Sequence, residues 1–196
     1  MLSQLVPLIL FGIAAGFSPG PNNIITSHSA FNFGFKKTIP TMLGVISGWT
    51  LLSIILVLGA GIIFKKFEEL QIIIKILGSG YLFFLAYKIS FNKTEQKNKS
   101  LKPITFLNTF FFQFVNPKSI IAGLTAVSLF VDAQNNFFQD SIIFVIVMFF
   151  IAIGSQATWC LMGTYLRKFA KSEKFVKNFN YSMSFLLIVC VIMFYV

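Results

Sequence analysis

The sequence predicts an all-α integral membrane protein of six transmembrane helices, arranged as two inverted three-helix repeats with broken helices 1 and 4. Three observations carry that expectation. Apolar residues fill 56% of 196 positions and charged residues only 11%, against about 25% charged in an ordinary soluble domain. The apolar positions gather into six runs, roughly 3–26, 39–64, 70–90, 104–130, 137–163 and 178–196, each near or above the ~20 residues that cross a bilayer as a helix. Proline motifs interrupt the first and fourth runs in matching places.

The first run contains Ser18-Pro19-Gly20-Pro21-Asn22-Asn23. Both prolines lack an N–H and clash with carbonyls one turn earlier, while Gly20 tolerates angles that other residues avoid, so a continuous helix is not expected there. Lipid offers no substitute hydrogen bonds. Such a break survives only where protein or a wet cavity satisfies the freed groups. A helix restarting after Pro21 presents N–H groups and the positive end of its dipole, which suit a substrate carboxylate, with the Asn22 and Asn23 amides beside it. The plainer alternative is a kink stabilised by asparagine. The run has no basic leader and no small-x-small cleavage pattern before Ser18, so it does not resemble a cleaved signal peptide. His28, further along, is expected at the cytoplasmic interface.

The second run holds Gly44 and Gly48 in a GxxxG step followed by Trp49, and the third holds Gly78-Ser79-Gly80. These small residues are read as flat packing surfaces between helices; Gly44 and Gly48 could also admit substrate close to the backbone. The connection Phe91–Pro103 is the longest, so no soluble domain is expected: the chain reads as one transmembrane transporter domain, 1–196, with repeat one about 1–90, a loop 91–103 and repeat two about 104–196.

The fourth run carries Asn116-Pro117-Lys118 about halfway along. A lysine at that depth costs roughly 2.5–3.5 kcal/mol on insertion scales. Lys118 could neutralise carbonyls freed by Pro117, meet a substrate carboxylate, exchange a proton, or snorkel to an interface. Asp132 ends the span and is a second candidate for proton coupling. The fifth run repeats the small-plus-Trp pattern as Gly154-x4-Trp159. There Gln156 and Trp159 join the candidate substrate-binding residues Pro19, Gly20, Pro21, Asn22, Asn23, Asn116, Pro117 and Lys118. Gln113, Ser155 and Thr158 read better as cross-links between helices. Cys160 and Cys190, in the fifth and sixth runs, read as small apolar filler away from both proline motifs.

The net charge of +10 serves topology. Lys36 and Lys37 follow the first span; Lys88, Lys93, Lys97, Lys99 and Lys102 follow the third; Arg167 and four lysines from Lys168 to Lys177 follow the fifth. Lys65 and Lys66 stand alone on the opposite face, offset by Glu68 and Glu69. The positive-inside rule makes the rich face cytoplasmic and places both termini outside. No nucleic-acid partner is expected. Three spans per half invert the second half relative to the first, and breaks at corresponding places are the sequence pointer to a transporter's binding site.

No enzyme or cofactor constellation appears: there is no His/Cys/acid cluster for a metal, no nucleophile paired with a base, no phosphate-cradling glycine loop. A thiol–disulfide electron carrier would need two cysteines able to meet at the breaks. A metal-ion exporter would need acids inside the spans. Both are weaker alternatives.

Over essentially the whole chain these motifs resemble the LysE-type (LysE/RhtB) amino-acid exporter family. The match includes the SPGPNN motif followed by Phe33-Gly34-Phe35-Lys36, Leu77-Gly78 with Tyr81-Leu82, and Asn116-Pro117-Lys118 with Phe130-Val131-Asp132. Within it, Gln113-Phe114-Val115-Asn116, Gly123-Leu124-Thr125-Ala126 and Trp159-Cys160 are most similar to the exporters of cysteine and O-acetylserine. The resemblance implies a multi-pass bacterial inner-membrane protein that exports small neutral amino acids by proton antiport. Its expected partners are the amino-acid substrate and the lipid bilayer, and a homo-oligomer is compatible with it.

Overall fold

In the computed structural model residues 4–60, 68–90, 103–132, 136–170 and 172–195 are described, and among them every regular element is helical. The Lys65–Lys66 pair, the loop 91–102 and Lys171 lie outside the described residues. The helices are α1 (Leu5–Phe17), α2 (Pro21–Phe33), α3 (Phe35–Ile55), α4 (Glu68–Ser90), α5 (Phe106–Phe112), α6 (Pro117–Phe130), α7 (Phe137–Arg167) and α8 (Glu173–Ile192). Four of them, α3, α4, α7 and α8, are long and apolar enough to cross a bilayer alone. The pairs α1–α2 and α5–α6 bend by 55° and 54° at short breaks, so the described residues hold four candidate spans, or six if each bent pair counts as one.

Both breaks fall at the proline motifs, and proline alone is not their cause. Pro40 sits inside α3 and the helix runs through it, near an exposed end where a freed carbonyl can find water or headgroups. At Ser18–Gly20 the chain instead turns extended, with Ser18 at ψ 144° and Gly20 at φ −174°, ψ 173°, before Pro21 restarts the helix at its first position. Asn116 does the same for α6 at φ −86°, ψ 105°.

Several boundaries differ from the apolar runs. The first run stops near 26, yet α2 continues through Thr26–Ser29 to Phe33, because that polar stretch is buried by protein rather than lipid. Ser172 caps α8 by accepting the Phe175 N–H, so α8 starts five residues before its apolar run. Gly34, at φ 84°, both ends α2 and begins α3; this is a left-handed backbone that other residues rarely adopt. Beyond Ile55, α3 loosens into a π-type turn, Leu56–Ala60.

Helix α7 packs against α1, α2 and α3; α3 also packs against α5, and α4 against α8. Glycines set the close approaches. A Cβ on Gly44 would strike the Phe106 carbonyl, one on Gly78 the Val115 carbonyl, and one on Gly163 the Ser27 carbonyl. Close backbone contact of this kind joins helices where lipid gives no hydrophobic drive. Gly80 has open space in front of it and so contributes no such contact. Large apolar side chains such as Ile72, Phe83 and Phe150 point outward, as a lipid-facing surface requires.

Candidate functional site

The break between α1 and α2 strands the last carbonyls of α1, and the structure gives most of them donors. Ser18 N–H donates to the Ala14 oxygen at 3.3 Å and Ser18 Oγ to the Ala15 oxygen at 2.9 Å. The Gly16 oxygen accepts from Asn23 Nδ2 at 2.8 Å and from Ser155 Oγ at 2.7 Å. Asn23 Nδ2 also reaches the Ser18 oxygen at 2.9 Å. Lys118 Nζ, arriving from α6, donates to Ser18 Oγ at 2.8 Å and to the Pro19 and Ser18 oxygens at 3.1 and 3.2 Å. Its charge therefore serves carbonyls freed by the other proline motif, not those at Pro117. Gly20 makes the approach feasible, since a Cβ there would stand 2.7 Å from the ammonium nitrogen.

The second break is tied to the first by a reciprocal amide pair. Asn22 Nδ2 donates to Gln113 Oε1 at 2.8 Å and Gln113 Nε2 returns to Asn22 Oδ1 at 2.9 Å. Gln113 also donates to the Thr109 oxygen and accepts from Ser119 Oγ. The two helix starts differ. Asn116 caps α6 by accepting the Lys118 N–H at 3.2 Å, whereas Gly20 offers α2 no side-chain cap. The first intrahelical bond of α2 is Ile24 N–H to the Gly20 oxygen. The N–H groups of Asn22 and Asn23 thus have no intrahelical acceptor.

Between the breaks lies a cavity with about 80 Å³ open to the centres of water-sized molecules. Its polar wall is Gly20–Asn23, Asn116, Lys118, Ser119, Ser155 and Gln156; its apolar wall includes Val45, Trp49, Met148 and Ile151. Lys118 is its only ionisable side chain among the described residues. Gln156 is held in the wall by Thr26, whose hydroxyl donates to Oε1 at 2.5 Å, and by its own amide on Asn23 Oδ1 at 2.9 Å.

Gly20, Pro21, Asn22, Asn23, Asn116, Lys118 and Gln156 are therefore brought together around one cavity. Pro19 contributes its carbonyl to Lys118, and Pro117 starts α6 without lining the cavity. Trp159 is not a lining residue; Trp49, its counterpart in the small-plus-Trp pattern, is. Asp132 is at the far end of α6, its N–H donating to Asp140 Oδ2 at 3.2 Å. Gln113 cross-links helices, Ser155 both cross-links and lines, and Thr158 does neither, bonding to the Gly154 oxygen on an exposed face. The one signal for Trp49 was its place five residues after Gly44.

Two placements correct the sequence reading. His28 is not exposed at an interface: it is 3% exposed, enclosed by protein because α2 is buried on nearly every side. Cys190 is not remote from the breaks, since α8 carries it into the apolar cluster of Ile24, Phe112 and Val115. Cys160 belongs to another cluster, with Ala30, Met42 and Ile46, and both thiols are free.

Over residues 13–196 the chain matches the family described as LysE type translocator. It is 29% identical to a cysteine/O-acetylserine efflux protein of Escherichia coli O139:H28 (strain E24377A / ETEC), over 185 residues that cover 93% of this chain and 92% of the relative. A cysteine/O-acetylserine efflux protein of Shigella flexneri serotype 5b (strain 8401) is 28% identical over 196 residues, covering 96% and 98%. The protein of that name in Escherichia coli (strain K12) is 28% identical over 185 residues, covering 93% and 92%. No solved structure matches the chain.

Proposed function

This chain belongs to the LysE type translocator family, and on that premise we propose that it exports small neutral amino acids or their derivatives, cysteine and O-acetylserine among them, by proton antiport across a bacterial inner membrane. One observation carries the substrate class. Lys118, the cavity's sole ionisable group among the described residues, already donates to three oxygens of the chain itself. All three N–H donors of Lys118 are thereby occupied, leaving none for an acidic side chain, and no acidic residue in the cavity lining would balance a basic one, so a zwitterion of zero net charge suits the site. Its carboxylate would meet the uncapped start of α2, at the Asn22 and Asn23 N–H groups. Its ammonium would meet side-chain oxygens such as those of Ser119 and Asn116, and its small side chain would lie against Trp49 and Met148.

Export would follow from rocking of α1–α4 against α5–α8, as two inverted repeats. The packing supports this: α1 lies on α7 as α5 lies on α3, while α3–α7 and α4–α8 pair with each other, as exchange of the two halves requires. Lys118 is the proposed proton-exchange group of the cavity, with Asp132 near the opposite face. The basic loops would be cytoplasmic. The test is substrate accumulation in everted vesicles, with and without a proton gradient, for O-acetylserine, cysteine, lysine and glutamate. The proposal expects gradient-dependent uptake of the first two only; uptake of lysine or glutamate in preference would overturn it.

A further inference from the structure

The cavity is lopsided. Its lining residues come from the end of α1, the first three residues of α2, the middle of α3, the start of α6 and the middle of α7, and its wall stops at Asn23 and Gln156. It therefore lies at the breaks and toward the face where α1 and α7 begin. Toward the other face, where α2 ends and the basic segments follow, the described helices pack closely: Gly163 brings α7 onto the Ser27 carbonyl, and Phe31 stacks on Phe179 of α8 at 3.7 Å.

That closely packed half has an unusual composition. Thr26, Ser27, His28 and Ser29 are consecutive on α2, and all are at most 3% exposed. Asn32 continues the strip, donating to the His28 oxygen and to Asn180 Oδ1 of α8, each at 3.0 Å. Thr26 binds Gln156 in the cavity wall, so the strip begins where the cavity ends. Its centre is not satisfied. Ser27 Oγ has no hydrogen-bond partner, and neither His28 nitrogen reaches bonding geometry although Asn180 is beside the ring. Buried polar atoms without partners are rare, because they forgo water for nothing. Simple cross-linking between helices would leave them paired, and lipid-facing packing would have made them apolar.

We propose that this strip, Thr26, Ser27, His28 and Asn32 with Asn180, is the second half of the translocation path, sealed in this conformation and lined by water and substrate in the alternate one. The structure is then the state open away from the basic face, and the orphaned hydroxyl and imidazole are groups that find partners when α2 and α8 part. The inference rests on the export reading but concerns the route, not the cargo.

Cysteine labelling tests it. In a Cys160→Ala, Cys190→Ala background, Ser27→Cys is compared, by a membrane-impermeant maleimide, with Ser29→Cys, whose native hydroxyl is turned to Thr38 of α3 and lies outside the proposed path. Both native side chains are 0% exposed here, and two residues apart on a helix they face opposite ways. A static structure protects both equally. The proposal expects Ser27→Cys to label at least about ten-fold faster in everted vesicles, since an alternate state populated even at ~1–10% exposes it, and to stay protected in right-side-out vesicles. Equal rates for the two variants, or labelling of Ser27→Cys from the right-side-out face alone, would overturn it. Should Ser27→Cys fail to reach the membrane, Asn180→Cys takes its place with the same expectation. O-acetylserine uptake is followed in the same vesicles. Preferential labelling without uptake upholds the path and counts against the substrate assignment, whereas uptake with equal labelling rejects the path.

Discussion

Replacing Lys118 by methionine separates what its charge does for the fold from what it does for transport. Methionine keeps an unbranched chain of similar reach but removes every donor. The lysine carries an insertion penalty of roughly 2.5–3.5 kcal/mol. Its three bonds, at 2.8, 3.1 and 3.2 Å, return about 2 kcal/mol if each matches the ~0.6 kcal/mol average for hydrogen bonds between membrane helices. The two terms nearly cancel. Lys118→Met should therefore insert normally and melt within about 1 kcal/mol of the parent. The break will not keep its shape, however. The Ser18 oxygen retains Asn23 Nδ2 at 2.9 Å, but the Pro19 oxygen loses the donor that holds it, and the start of α2 shifts with it. Everted-vesicle uptake of O-acetylserine is expected to fall at least about ten-fold, the kinetic equivalent of 1.4 kcal/mol, at unchanged membrane abundance. Lys118→Arg should fail as well, because the wider guanidinium meets Gly20, where even one added carbon would sit 2.7 Å from the present nitrogen. Export at the parental rate by Lys118→Met would refute the reasoning. Loss of the protein from the membrane would make the lysine a structural clip alone.

Gly48→Ala should destabilise the α3–α5 contact by about 1–3 kcal/mol, since its Cβ would lie 2.6 Å from the Phe110 carbonyl oxygen; Gly80→Ala, with nothing within 4 Å, should be neutral or slightly stabilising, and thermal melts in detergent compare them. Trp49→Ala should raise the half-saturating concentration for transport while Trp159→Ala leaves it unchanged, read from concentration-dependent uptake. Cys160→Ala with Cys190→Ala should keep most activity, because the thiols belong to separate apolar clusters; loss of uptake at normal abundance would favour a redox carrier. Reporter fusions within 91–102 and at Lys168 should score as cytoplasmic, and alkaline-phosphatase activity at either would reverse the orientation drawn from the basic segments.

Hydropathy made the helices legible, and proline chemistry made the breaks legible, for one reason: in lipid each residue's backbone must find partners within the chain. What hydropathy could not show is which helix faces are covered by protein. The apolar run ends at 26 because Thr26–Asn32 reads as an exit from the bilayer, whereas burial by α7 and α8 lets α2 continue to Phe33. The same blindness placed His28 at an interface and Cys190 away from the breaks. Both errors come from measuring distance along the chain, while α2 and α8 are neighbours in space.

The hardest feature to read was the difference between two motifs that look alike. Both breaks restart a helix with proline, and both small-plus-Trp patterns occupy equivalent spans, so symmetry alone nominates Trp49 and Trp159 together. The structure uses them unequally. Asn116 caps its own helix at the Lys118 N–H, Lys118 is committed to the first break, and Gly20 leaves α2 uncapped beside Trp49 and the cavity. A zwitterion is itself asymmetric, with one anionic and one cationic end. Two equivalent helix starts would offer its carboxylate two competing seats and its ammonium none. Capping one start with asparagine and leaving the other open removes that ambiguity, so in the proposed site the second motif would act on substrate mainly by supplying the lysine that shapes the first.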